Sequence, residues 1–459
     1  MNFNREKKCA LPIVAAVFGL LSAGMTSAPS AHAAQSPAVL TSWFSPVGGG
    51  IEHVIAWSSA GASSDTMGNH PNTSPNEYIH TTSGWYLAPQ PNLLAGGVDV
   101  GTSVGDRFPC FGAPLFGYYN PGDGNNHLFM IDSSKHIIEW FWTESTSITS
   151  SYENNSAAQI NYRDVTYESG APLPATGGAP VSTDGHQLGY GFNCQYPSYA
   201  SVSTLTGIVD SSNEMHLYYA SANRGVTEVY FVNGRWWQGF PSGNANATGG
   251  TGMTSLWDGS LEHIYYTGTD GTLWEDYLPG CSGWCNHALT GSASTSPSGF
   301  LSATYPGVQA VWGAQPSGGM RLMARYPSGW VGSTLSSSQT PALSTSSPSI
   351  SIQGNPFYIG SDQNIYQPDQ NTTPIQQTSG GPQSELTAVS ASTGWTGPLG
   401  PLTGGKDATG NWHLFYIGTD GHVHEYYGNG SATWSTNDLT HTCTLYTGNA
   451  CSLANFTYP

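Results

Sequence analysis

Short apolar runs with fixed polar residues beside them recur along this chain. Four of them read His127-Leu-Phe-Met, His216-Leu-Tyr-Tyr, His263-Ile-Tyr-Tyr and His413-Leu-Phe-Tyr. In each, a glutamate stands twelve positions after the histidine, as Glu139, Glu228, Glu275 and Glu425. Between His and Glu the apolar run gives way to Gly, Ser or Asp and then to a second run. Aromatic and β-branched residues bounded by turn formers predict strand, tight turn, strand. The runs are nearly continuous rather than cleanly alternating, so both faces of these strands are expected to be buried.

The frame extends beyond the pair. A Trp follows the Glu by nine positions at Trp237, Trp284 and Trp434, and a polar-x-Leu-Thr tail closes the unit, as in Asn437-Asp438-Leu439-Thr440. Two weaker copies keep the frame but lose the pair: Gln309 and Arg321 hold its positions in one, with Trp330 behind, and Asn355 and Gln367 in the other. A seventh opens at His53 and, after an insertion rich in Ser, Asn and Pro, resumes at Glu77 and Trp85. The anchors at 216, 263, 309 and 355 are 47, 46 and 46 apart. Self-similarity at such a period marks a repeat architecture. About 46 residues and three or four short strands per unit fit a propeller blade better than the shorter rung of a β-solenoid. The expected fold is all-β: a seven-bladed β-propeller of short antiparallel strands, with loop insertions, whose ring closure protects the sheet edges.

Residues 1–34 read as a secretory leader, with Arg5, Lys7 and Lys8, an apolar stretch from Leu11 to Leu21, and the small-residue site Ala31-His32-Ala33. That stretch is too short to span a bilayer, and no later segment approaches 18 apolar residues. The expectation is an exported, extracellular or periplasmic protein without a transmembrane segment, whose residues 35–459 form one propeller domain. Of 11 Lys and Arg and 29 Asp and Glu, three basic residues and Glu6 lie in the leader, leaving a net charge near −20. That acidity argues against nucleic acid as a partner. Gly at 58 and Pro at 30 suit many turns, and the aromatic content of 12% argues against disorder.

Six cysteines follow the leader: Cys110, Cys194, Cys281, Cys285, Cys443 and Cys451. An even number in an exported chain suggests disulfides, with fifteen possible pairings. The local guesses are Cys281 with Cys285 and Cys443 with Cys451, leaving Cys110 with Cys194. No second cysteine pair has metal spacing, so no metal or cofactor is expected.

The sequence His413-Leu-Phe-Tyr-Ile-Gly-Thr-Asp-Gly-His-Val-His-Glu425, with Trp434-Ser-Thr-Asn-Asp-Leu-Thr440 after it, resembles the repeats of the fucose-specific β-propeller lectin superfamily, which includes the bacterial PLL-like seven-bladed lectins. Arg163-Asp-Val-Thr166 resembles another copy of the linker. The resemblance covers most of residues 50–440 and implies a lectin, with glycans or glycoconjugates as partners. Fungal members read fucose with an Arg at the start of the second strand and a Glu on the third. This chain keeps the Glu and has His in place of the Arg, so the implied ligand is fucose-like or a related glycan.

Sugar recognition needs flat apolar faces for pyranose C–H groups and a few directed polar groups for the hydroxyls. His127, Glu139, His216, Glu228, His263, Glu275, His413 and Glu425, with Trp237, Trp284 and Trp434, are therefore candidate carbohydrate-binding residues, and repetition would make binding multivalent. The competing reading makes each His and Glu a hydrogen-bonded lock across its hairpin, opposed or diagonal according to register, and each Trp a core residue. Ligand contacts would then come from loops such as 58–76 or 186–212.

A glycan-active enzyme is the second function class, since propellers also host glycosidases and polysaccharide lyases. It needs one asymmetric constellation, such as two suitably spaced carboxylates. The acidic residues here repeat unit by unit, and the best single candidate, His186, is a lone His in the longest insertion, so no catalytic residue is expected. A protein-interaction scaffold is the third class.

Overall fold

The computed structural model describes residues 39–46, 50–57, 76–81, 84–87, 98–99, 115–131, 135–143, 161–174, 205–221, 225–241, 252–268, 271–278, 283–289, 301–304, 309–314, 320–327, 329–334, 349–352, 355–359, 364–368, 383–385, 402–418, 422–428, 434–442 and 444–445. These residues form seven sheets built on antiparallel four-strand meanders, in an all-β arrangement consistent with a β-propeller. In chain order, the sheets run over residues 39–87, 115–164, 206–239, 253–288, 301–334, 349–385 and 403–438, and are numbered 1 to 7 below. Sheets 1 and 2 each gain a short parallel fifth strand, Thr444–Leu445 against Tyr86 and Leu87, and Val98–Asp99 against Asn161 and Tyr162.

The near-continuous apolar runs find their reason in the packing. In the strand Asn125–Ile131 of sheet 2, Leu128 and Met130 join Trp43 and Ile55 of sheet 1. The alternate residues Phe129 and Ile131 join Leu217, Tyr219 and Trp236 of sheet 3. A strand with a sheet on each side needs apolar residues at both parities. Among the described residues there are seven such clusters, each drawn from two consecutive sheets; one joins sheet 7, through Phe415, Ile417, Val423 and Leu439, back to Leu40, Val54 and Tyr78 of sheet 1. The first strands of the sheets follow one another in the same closed order.

These first strands crowd together. A Cβ on Gly117 of sheet 2 would lie 2.3 Å from the Trp43 ring of sheet 1. A Cβ on Gly405 of sheet 7 would lie 2.7 Å from Phe44, also of sheet 1. The small residue in each case lets an aromatic ring from the neighbouring sheet lie against the backbone.

The polar-x-Leu-Thr tail becomes a clasp. After Asn161–Asp164 the chain turns into the five-residue helix Val165–Ser169, where Asp164 accepts the Tyr167 N–H at 2.8 Å. The Thr166 hydroxyl accepts the amide of Ile137, the first residue of the strand two places back in the chain, at 2.9 Å. Sheet 7 repeats the device with Asp438 and Thr440, which accepts the amide of Val423 at 3.1 Å.

Candidate functional site

The five His–Glu hairpins share one register. Phe129 pairs with Glu139 while His127 pairs with Phe141, so His and Glu are diagonal neighbours on one face. The same offset holds for Tyr218 and Glu228, Tyr265 and Glu275, Phe415 and Glu425, and Ile55 and Glu77. In every case His Nδ1 reaches Glu Oε1: His53 to Glu77 at 2.8 Å, His127 to Glu139 at 2.7 Å, His216 to Glu228 at 2.8 Å, His263 to Glu275 at 2.8 Å and His413 to Glu425 at 2.6 Å. All ten side chains are buried.

In three of the five, the other ring nitrogen has a carboxylate outside the repeated pair. Asp123, Asp258 and Asp407 lie 3.3, 3.2 and 3.4 Å from Nε2 of His127, His263 and His413. Each Asp also accepts backbone amides in the turn ahead of the strand, as Asp258 Oδ1 does from Ser260 and Leu261. One carboxylate thus closes the turn and aims the histidine. Burial opposes the charged form of His127, but the bonds to Asp123 and Glu139 prevail and raise its pKa. Burial likewise works against Glu275, and hydrogen bonds from His263 and His287 prevail, lowering it to about 2. The signal in the sequence is an Asp four to six residues before each of these three histidines, inside a Gly-, Ser- or Asn-rich turn. Its variable spacing hides it from a search at fixed offsets.

The second glutamate oxygen ties adjacent sheets. Glu139 Oε2 accepts the indole N–H of Trp236 of sheet 3 at 2.9 Å and lies 3.1 Å from Arg163 Nε. Glu425 Oε2 accepts from Trp85 of sheet 1 at 3.1 Å and from Asn437 at 2.7 Å. The Trp rings stand edge-on to the aromatic two places after the His position of the preceding sheet: Trp85 on Phe415, Trp236 on Phe129, Trp284 on Tyr218, Trp330 on Tyr265 and Trp434 on Phe357, at 5.7 to 6.3 Å between centroids.

In sheet 3 this place belongs to Trp236, fully buried, and not to Trp237, which the nine-residue offset selects. The tight turn at Asn233-Gly234 puts the packing Trp eight residues after Glu228, and a shift of one residue reverses the face. Sheet 5 needs a second correction. Arg321 pairs with Gly313, and the residue opposite Val311, two after Gln309, is Met323. Gln309 instead accepts from Arg325 at 3.0 Å and donates to Asp258 of sheet 4 at 3.0 Å.

Of the eleven candidate sugar-contacting residues, Trp237 alone is exposed, at 45%; the His and Glu residues and Trp434 are buried, and Trp284 is half-buried. The Arg235 guanidinium lies 4.8 Å over the Trp237 ring. Phe240, 69% exposed, is close along the chain, and the exposed Tyr167 sits on the helix that packs against this strand, where Glu168 accepts the amide of Trp236. Tyr167 and Phe240 were not singled out in the sequence, because no repeat position marks them.

Among the described residues, the side chains able to converge on a metal ion are His422, Asp438 and His441; Glu52, His413 and Glu425; Asp210, Glu214 and His216; and His216, Glu228 and Glu262. Cys285, buried, is the one cysteine among the described residues. The proposed pairings, His186 and most of the loops 58–76 and 186–212 fall outside them.

No family model matches the chain, and no curated protein does. Among solved structures, it is similar to AofleA from Arthrobotrys oligospora at 12% identity and a TM-score of 0.44, covering 88% of this chain and 87% of that one. A variant of the Aleuria aurantia lectin in complex with alpha-methyl-L-fucoside matches at 12% and 0.43, covering 88% and 94%. SapL1 lectin in complex with alpha methyl fucoside matches at 13% and 0.44, covering 88% and 96%. The Aleuria aurantia lectin is described as a six-bladed β-propeller, whereas seven sheets are described here.

Proposed function

We propose that this chain is an exported, non-catalytic carbohydrate-binding protein on a seven-bladed β-propeller. The closed order of seven inter-sheet clusters supports the blade number. The observation that carries the sugar-binding reading is the exposed Trp237 ring with the Arg235 guanidinium over one face, and the exposed Phe240 and Tyr167 near it, on the same chain segment and on the helix packed against that strand. The open face of such a ring suits the C–H face of a fucose-like or related pyranose, and a fixed guanidinium beside it suits the hydroxyls. The buried His–Glu pairs hold the hairpins and leave the ligand to such surfaces.

A glycan array probed with the purified protein, including fucosides, tests this. Specific binding that falls at least tenfold in Trp237→Ala, with an unchanged melting temperature, supports it. A folded protein that binds no glycan overturns the lectin reading. Binding that survives Trp237→Ala and Phe240→Ala overturns this location for the site.

A further inference from the structure

At the junction of sheets 7 and 1 one histidine faces more negative charge than it can serve. His413 has Asp407 3.4 Å from Nε2, as His127 and His263 have Asp123 and Asp258, and Glu425 2.6 Å from Nδ1. A third carboxylate enters from sheet 1, with Glu52 Oε2 3.1 Å from the same Nδ1. Even a fully protonated ring offers one proton at Nδ1 to two carboxylate oxygens. Glu52 is 2% exposed, and neither of its oxygens has a hydrogen-bond partner. A buried carboxylate in that condition is neutralised either by a proton or by a cation.

We propose that Glu52, His413 and Glu425, with His80 as fourth ligand, form a site for a divalent transition-metal ion of the zinc type. The three inner side chains present ligand atoms within 4.8 Å of one another. His80 Nδ1 lies 3.9 Å from Glu52 Oε2, and its side chain, 37% exposed, gives the site its opening to solvent. Two imidazoles and two carboxylates are a donor set that zinc-like ions accept.

The surroundings are arranged as a metal site requires. Asp407 can hold the Nε2 proton, which frees the Nδ1 lone pair toward the ion, the carboxylate–histidine–metal arrangement. Trp85 and Asn437 occupy Glu425 Oε2 and leave Oε1 turned inward. His80 is stacked on Trp85 at 4.7 Å between ring centroids.

The molecule contains its own control. Glu262 stands immediately before His263 as Glu52 stands before His53, and lies 3.3 Å from His216 Nδ1 of the preceding sheet. The residue paired with Glu52 on the next strand is His80, whereas the one paired with Glu262 is Leu278. The second junction therefore lacks the fourth ligand, and one ion per chain is expected, not two.

The test is calorimetric titration of untagged, EDTA-treated protein with ZnCl2, alongside thermal melts. The expected result is one saturable zinc ion per chain and a higher melting temperature. Glu52→Gln should weaken binding by at least tenfold and abolish the thermal shift, while Glu262→Gln should leave the stoichiometry at one. Wild-type protein that is folded and binds no zinc overturns the proposal. So does zinc binding unchanged in Glu52→Gln, or binding lost in His441→Ala, which would place the ion at His422, Asp438 and His441.

Discussion

Sheets 4 and 5 solve the same packing problem in two ways. In sheet 4 the hairpin interior holds His263, Glu275 and Asp258, all hydrogen-bonded, with the His and Glu sealed from solvent. In sheet 5 the position equivalent to Glu275 is Met323, buried against Tyr265 and Leu301. Its Gln309 turns away to serve the histidine lock of sheet 4. A repeat unit therefore folds without the polar pair. Where the pair exists, its worth lies in completeness, because a half-satisfied buried network is costlier than an apolar one.

The largest effect should come from breaking one lock on one side. Glu275→Leu leaves His263 buried beside Asp258 without its main partner and should cost about 3–5 kcal/mol in denaturant unfolding. Adding His263→Leu should recover part of that loss, since both partners become apolar. A double variant as unstable as the single one would show that the lock does more than satisfy its own charges. In sheet 5, Met323→Ala should cost about 2–4 kcal/mol by the cavity it leaves.

The carboxylates of the two kinds of position should respond to pH in opposite senses. Glu275, held at about 2, contributes stability that is complete above the usual glutamate range and is lost as pH falls toward 2. Glu262 is raised to about 7, chiefly by burial, so its protonated form is favoured in the fold. Its contribution is complete below the usual glutamate range and is lost as pH rises through about 7. Glu262→Gln should therefore stabilise the protein by roughly 1–3 kcal/mol at pH 8 and change little at pH 4. Equal effects at both values would remove the buried proton from the account. The smallest expected change is in Trp237→Ala, within about 0.5 kcal/mol, where Trp236→Ala should cost about 3–5 kcal/mol.

The repeat was legible wherever hairpins kept one length. His127 with Glu139 and His413 with Glu425 sit on turns of matching size, so one offset finds all four such pairs, whereas His53 and Glu77 stand 24 apart and show only through the apolar run after His53 and Trp85 after Glu77. The same offset failed at Arg321, because the hairpin of sheet 5 is two residues longer between Val311 and Met323. It failed at Trp237 because the connection after Glu228 is one residue shorter. A counting rule cannot see a turn's length, yet that length decides which side chain enters the core. The turn aspartates escaped for the same reason. Glu52 and Glu262 carry no mark in sequence, since their meaning lies in the histidine of the preceding sheet.

Thr444–Leu445 lies along the outer strand of the very first sheet, and Leu439 packs beside Leu40. Almost the entire polypeptide separates these partners. While the chain is being synthesised, sheet 1 must wait with one flank bare until sheet 7 and residues 439–445 emerge. Long-range closure of this kind is slow and comes late. The interval before it is when the nascent protein is most open to joining with the wrong neighbour.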